Sequence, residues 1–99
     1  MFKNKILSLN DLNKKIIKEK LKKRKIILCH GVFDLLHLGH IKHFKEAKSF
    51  GDILVVTITP DEYVNKGPNR PAFSIKDRLE ALAALESIDY VAENNWATA

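Results

Sequence analysis

Apolar positions along the 99-residue chain change period several times. Leu9, Leu12, Ile16 and Leu21 fall near helical spacing among lysines and asparagines. Ser8 stands three residues before Asp11, a capping-box pattern, so SLNDLNKKIIKEKL reads as one amphipathic helix. KIILC, Lys25 to Cys29, is a short β-branched run bounded by charge and by His-Gly, and reads as a buried strand. HIKHFKEAKSFG returns to helical spacing, with Ile41, Phe44 and Ala47 on one face and Gly51 as the stop. DILVVTIT, Asp52 to Thr59, is apolar almost throughout, as in a parallel strand covered on both faces. PDEYVNKGPNRPAF carries three prolines and a glycine and reads as a loop. SIKDRLEALAALES is a further helix, capped by Ser74 with Asp77 and lined by Leu79, Leu82 and Leu85. IDYVA, Ile88 to Ala92, is a last short strand before the polar turn ENNW.

After the N-terminal helix the order is β-α-β-α-β. Helices alternating with short apolar strands predict an α/β fold with a parallel, Rossmann-like sheet and right-handed crossovers. Residues 1–24 are read as a basic helical arm and residues 25–99 as the core. There is no internal repeat. The length allows one small domain, and an apolar content of 45% supports a real core.

Charge changes the picture of the arm. Residues 1–25 hold ten Lys/Arg against Asp11 and Glu19, a net of +8, while the remainder carries −3. The formal +5 therefore belongs to the first helix and not to the body. No aromatic residues interleave with KEKLKKRK, as single-strand binding requires, so a solvated helix face is favoured over a nucleic-acid surface. The single cysteine, Cys29, excludes an internal disulfide and fits a reducing compartment. It reads as a buried strand residue rather than a nucleophile. No apolar run resembles a signal peptide or reaches membrane-spanning length, which leads to the expectation of a soluble cytoplasmic protein with no membrane partner.

Candidate chemistry gathers beyond the carboxyl ends of the strands, where open parallel sheets bind ligands. Three segments meet there: GVFDLLHLGH, TPDEYVNKGPNRP and ENNW. The first contains neither GxGxxG nor GxxxxGK[ST], yet it occupies the same strand-to-helix junction. Gly39 and His40 open the helix, where free backbone N–H groups and the helix dipole favour an anion. Gly39 allows close approach, and His37 and His40 add donors aimed at one point. Phosphate handling is the reading preferred. The plainer alternative is that both histidines only cap the helix. Zinc ligation by His37, His40 and His43 is disfavoured, because no carboxylate or cysteine stands at ligand spacing.

HLGH resembles the HxGH motif of the nucleotidyltransferase superfamily with the cytidylyltransferase-like domain. GVFDLLHLGHIKHFKEAKSFGD, LVVTITPDEY, KGPNRP, the arginine of SIKDR, IDYV and ENNW extend the resemblance over about Lys25 to Trp96. They are similar to glycerol-3-phosphate cytidylyltransferases and to the adenylyltransferase part of heptose-phosphate kinase/adenylyltransferases. The resemblance implies transfer of CMP or AMP from CTP or ATP to a small phosphorylated alcohol or sugar, with release of pyrophosphate. Mg2+ accompanies the triphosphate. It gives catalytic roles to His37, His40 and Lys66. It gives nucleotide-binding roles to Gly31, Val32, Phe33, Asp34, Gly39, Arg70 and Arg78. Asp34 is read chiefly as ordering its loop, Arg78 as a phosphate contact or a loop anchor, and Trp96 as an acceptor-site or packing residue. No resident metal site and no nucleic acid is expected, and a homodimer is. KGPNRP leans towards the adenylyl-transferring relatives and ENNW towards the cytidylyl-transferring ones, so base and acceptor stay open. Relatives continue into a further strand, a helix and a Ser/Thr-rich motif that binds the triphosphate. A truncated form of the fold is therefore expected, with an exposed sheet edge and a fused downstream domain by analogy. The alternative function is a non-catalytic nucleotide-binding or regulatory module.

Overall fold

The structure is a computed structural model, and it describes residues 2–33, 36–60 and 74–94. A short 3-10 turn (Phe2–Lys5) leads into β1 (Ile6–Leu7), α1 (Leu9–Leu21), β2 (Ile26–Gly31), α2 (Leu38–Ser49), β3 (Ile53–Ile58), α3 (Ile75–Ala83) and β4 (Tyr90–Glu93). The strands form one sheet in the order β1-β4-β3-β2, and every pairing is parallel. The α/β Rossmann-like architecture read from the sequence is the one observed.

The fully buried β3 follows from its run of Ile, Leu, Val and Thr, which has no polar face to offer water. Its alternate residues serve two layers. Leu54, Val56 and Ile58 pack with Phe44 and Ala47 of α2 and with Leu82 and Ala83 of α3. Ile53 and Val55 pack on the other face with Leu12 of α1 and Ala92 of β4. The chain steps from β2 to β3 to β4 in one direction across the sheet, but from β1 to β2 in the other. Right-handed crossovers then place α1 on the face opposite α2 and α3.

Three details differ from the sequence reading. Ile6 and Leu7 form a strand, in register with Val91 and Ala92, which a two-residue apolar pair does not signal. Leu21 is 80% exposed and does not join Leu9, Leu12 and Ile16. Five residues from Ile16 turn the helix well past a full revolution and carry Leu21 off the inner face. Glu19 is buried there instead, 3.3 Å from Arg24 Nη1 and 3.9 Å from Lys22 Nζ. KIILC is also not the buried strand expected: among the described residues β2 pairs only with β3, so its other edge is open, Leu28 is 63% exposed and Cys29 is only partly buried. No helix among the described residues is long and apolar enough to cross a membrane.

Candidate active site

The carboxyl ends of β2, β3 and β4 are stitched together. Thr59 N–H donates to Gly31 O at 3.0 Å, and Asn94 N–H to Ile58 O at 2.8 Å. Arg78, 1% exposed on α3, donates from Nη1 to Val32 O at 2.9 Å and to Thr59 O at 2.7 Å. Between the phosphate contact and the loop anchor weighed for Arg78, this Nη1 serves the anchor. It fixes where the chain leaves β2 and β3.

Beyond Val32 the backbone enters the left-handed region at Phe33, with φ 49°. A bulky residue adopts this conformation only where its surroundings over-determine it. Here they do. The Phe33 ring covers Gly31, where a Cβ would lie 2.8 Å from Cζ. It also meets the rings of His40 and Phe44 edge-on, with centroids 5.7 and 5.3 Å away. Gly31 is thus required by the ring of Phe33, and Phe33 seats His40.

α2 begins with an unusual cap. Ser8 and Ser74 cap α1 and α3 in the ordinary way, accepting from Asp11 N–H at 3.1 Å and Asp77 N–H at 3.2 Å. At α2 the N-cap is His37, whose Nδ1 accepts from Gly39 N–H at 3.0 Å. His40 reaches back, and its Nδ1 accepts from His37 N–H at 3.3 Å. The two rings lie 4.1 Å apart, centroid to centroid. A Cβ on Gly39 would stand 2.7 Å from His37 Cε1, so this glycine makes room for the imidazole.

The capping alternative is therefore real, and it leaves chemistry available. With Nδ1 accepting, the proton of each neutral ring sits on Nε2, a donor turned away from the cap. The backbone donors at this end differ from the sequence expectation. Gly39 N–H is taken by His37 Nδ1, and His40 N–H donates to His37 O at 3.0 Å. The donors this junction offers to an anion are chiefly imidazole Nε2–H groups rather than main chain. The pKa of His40 is lowered by burial first, then by His37 and His43. Among the described residues no three of His, Cys, Asp and Glu group so as to hold a metal ion.

The structure thus brings Gly31, Val32, Phe33, His37, Gly39 and His40 together where β2 ends and α2 begins, with Arg78 behind Val32. Asp34, Lys66, Arg70 and Trp96 lie outside the described residues. The sequence reading noted His30 only as lying near the other histidines and gave it no role; at the end of β2 its Nδ1 lies 2.7 Å from the buried Thr57 hydroxyl on β3. Its only sequence signal was a histidine ending an apolar run.

The model of the cytidylyltransferase-like family matches residues 28–98. The chain belongs to this family. Among curated relatives, the bifunctional protein HldE of Geobacter metallireducens is 45% identical over 89 residues, 88% of this chain and 18% of that protein. The HldE of Sulfurimonas denitrificans is 47% identical over 70 residues, 69% of this chain and 15% of that protein. The chain therefore spans less than a fifth of these relatives' length. A solved lipopolysaccharide core biosynthesis protein from Thermoplasma volcanium superposes with a TM-score of 0.67 at 35% identity. The match covers 73% of this chain and 59% of that one.

Proposed function

We propose that the protein transfers a nucleotidyl group, CMP or AMP, from CTP or ATP to a small phosphorylated acceptor and releases pyrophosphate. The carrying observation is the His37–His40 pair at the start of α2, in a chain of the cytidylyltransferase-like family. A sugar phosphate is the acceptor favoured over glycerol phosphate, because the solved neighbour is named a lipopolysaccharide core biosynthesis protein.

In this reading an oxygen of the acceptor phosphate attacks the α-phosphorus while its bond to the bridging oxygen of pyrophosphate breaks. Charge spreads over the equatorial oxygens of the phosphoryl group in flight. Fixed donors aimed at those oxygens stabilise the transition state without a covalent step. His37 and His40 supply two through Nε2–H. Val32, Phe33 and Gly31 shape the nucleotide floor, Asp34 orders the loop, and Lys66 and Arg70 neutralise the β- and γ-phosphates. Arg78 acts by holding the strand ends. Magnesium arrives on the triphosphate as part of the substrate. The two imidazoles fit donation to phosphate and do not fit metal ligation, because their Nδ1 lone pairs are spent on the helix cap.

The test is pyrophosphate release with magnesium, crossing CTP and ATP with sugar 1-phosphates and glycerol 3-phosphate. Release with one pairing, reduced about a hundredfold or more in His40→Ala, supports the transferase and names base and acceptor. Triphosphate binding without release across the panel would replace it with the nucleotide-binding module.

A further inference from the structure

Each imidazole of the pair is fixed by the nitrogen it has already committed. His37 Nδ1 accepts from Gly39 N–H, and His40 Nδ1 accepts from His37 N–H. A nitrogen that accepts a hydrogen bond carries no proton, so both rings are neutral Nε2–H tautomers in this arrangement. The two bonds are reciprocal halves of one capping box. Neither ring can change tautomer, or take a second proton, without giving up its half.

We propose that a proton added to Nδ1 of either imidazole breaks its half of the box and opens the first turn of α2. The site then carries an acid-sensitive latch made of its own two imidazoles.

The geometry argues this at three points. A protonated His37 Nδ1 would turn a hydrogen toward the Gly39 N–H 3.0 Å away, placing two donors face to face. The exposed ring must then swing away from the cap to separate the two donors. An imidazolium here would also sit at the positive end of the α2 dipole, the wrong sign for a helix N-terminus. Among the described residues no carboxylate pairs with either imidazole. Phe33, from the loop after β2, presents an uncharged ring edge to His40, and Phe44 packs behind it. The titratable neighbours acting on His40 are His37, at the helix cap, and His43, one turn on, and a positive charge on either opposes one on His40.

The latch itself rests on the cap geometry, and its bearing on catalysis rests on the proposed function. The test is a 15N-histidine NMR titration of the protein between about pH 8 and 5, with amide exchange followed at His37 and Gly39. At the basic end both rings are expected to show a protonated Nε2 and a bare Nδ1, with both amides protected. As His40 takes up its proton, protection at the two amides is expected to fall at least tenfold. In His37→Asn the side-chain oxygen replaces Nδ1 as the cap, so protection at Gly39 should respond less to pH than in the parent, while that at residue 37 still falls as His40 protonates. A proton on Nδ1 of either ring at the basic end would overturn the proposal. So would amides that stay protected through His40 protonation. An intact latch in a protein that binds no triphosphate at any pH would support the latch while ending the transferase reading. Tight triphosphate binding beside a proton on Nδ1 would do the reverse.

Discussion

Arg78 Nη1 donates to the carbonyl of Val32, 46 residues earlier in the chain, at 2.9 Å. The same nitrogen reaches Thr59 O, so one buried guanidinium holds the chain exits of β2 and β3. Charged hydrogen bonds to carbonyls in a dry site contribute about 1.5–3 kcal/mol. Arg78→Met is expected to lose about 3 kcal/mol in urea denaturation, since two carbonyls are left without their donor. Pyrophosphate release should fall with it, because Val32 and Phe33 lose their tether. An unchanged denaturation midpoint would show that the anchor contributes nothing.

Gly39→Ala tests the seat of His37. The added methyl would overlap the imidazole at 2.7 Å, and the ring must leave the cap. Loss of an N-cap costs about 1 kcal/mol. The expected outcome is a small fall in stability with a large fall in turnover, at least tenfold. Ser8→Ala, which removes the ordinary cap of α1 on the opposite face of the sheet, should cost similar stability and spare turnover.

The arm is part of the packing. Leu12 is 3% exposed against Ile53, Val55 and Ala92. Leu12→Ala is expected to cost about 2–5 kcal/mol by chemical denaturation. Lys14→Glu and Lys18→Glu, on exposed positions of the same helix, should change stability by less than about 0.5 kcal/mol. A nucleic-acid role for the arm would instead give a salt-steep affinity abolished by the two charge reversals.

Stability should also depend on pH through His40. Its folded value is lowered by burial and by its two histidine neighbours. The unfolded imidazole, near about 6.5, therefore binds a proton before the folded one does. With more protons on the unfolded chain, stability rises with pH in that window. It is fully present above the unfolded value and is lost as pH falls through the folded value. Denaturation midpoints measured from pH 8 to 5 should drop below about 6.5, and the drop should shrink in His40→Gln.

Cys29 should be slow. Burial raises its thiol above the ordinary range. Labelling by a thiol reagent at mildly basic pH is expected to be at least tenfold slower than in the urea-unfolded chain. Equal rates would place the thiol in water.

Local pattern was enough for much of this protein. The fully buried β3, the serine caps of α1 and α3, and the alternation of strand and helix each follow from residues within a few positions of one another. So does the junction at GVFDLLHLGH, because a strand, a glycine-bearing turn and a helix start are all local signals. Other features needed the tertiary structure. Ile6 and Leu7 become a strand only because β4, 85 residues on, offers them an edge. α3 ends at Ala83, before the leucine pattern does, and Asp89 then turns to accept from Leu54 N–H on β3 at 2.7 Å. Arg78 looked equally suited to phosphate or to a loop, and burial against two distant carbonyls decided its Nη1. The pair of histidines drew attention by type and spacing, but which nitrogen each commits depends on a ring folded over Gly39. Sequence fixes what lies within a turn or two of backbone; contacts across the sheet, and the proton positions they impose, exist only once the strands have come together.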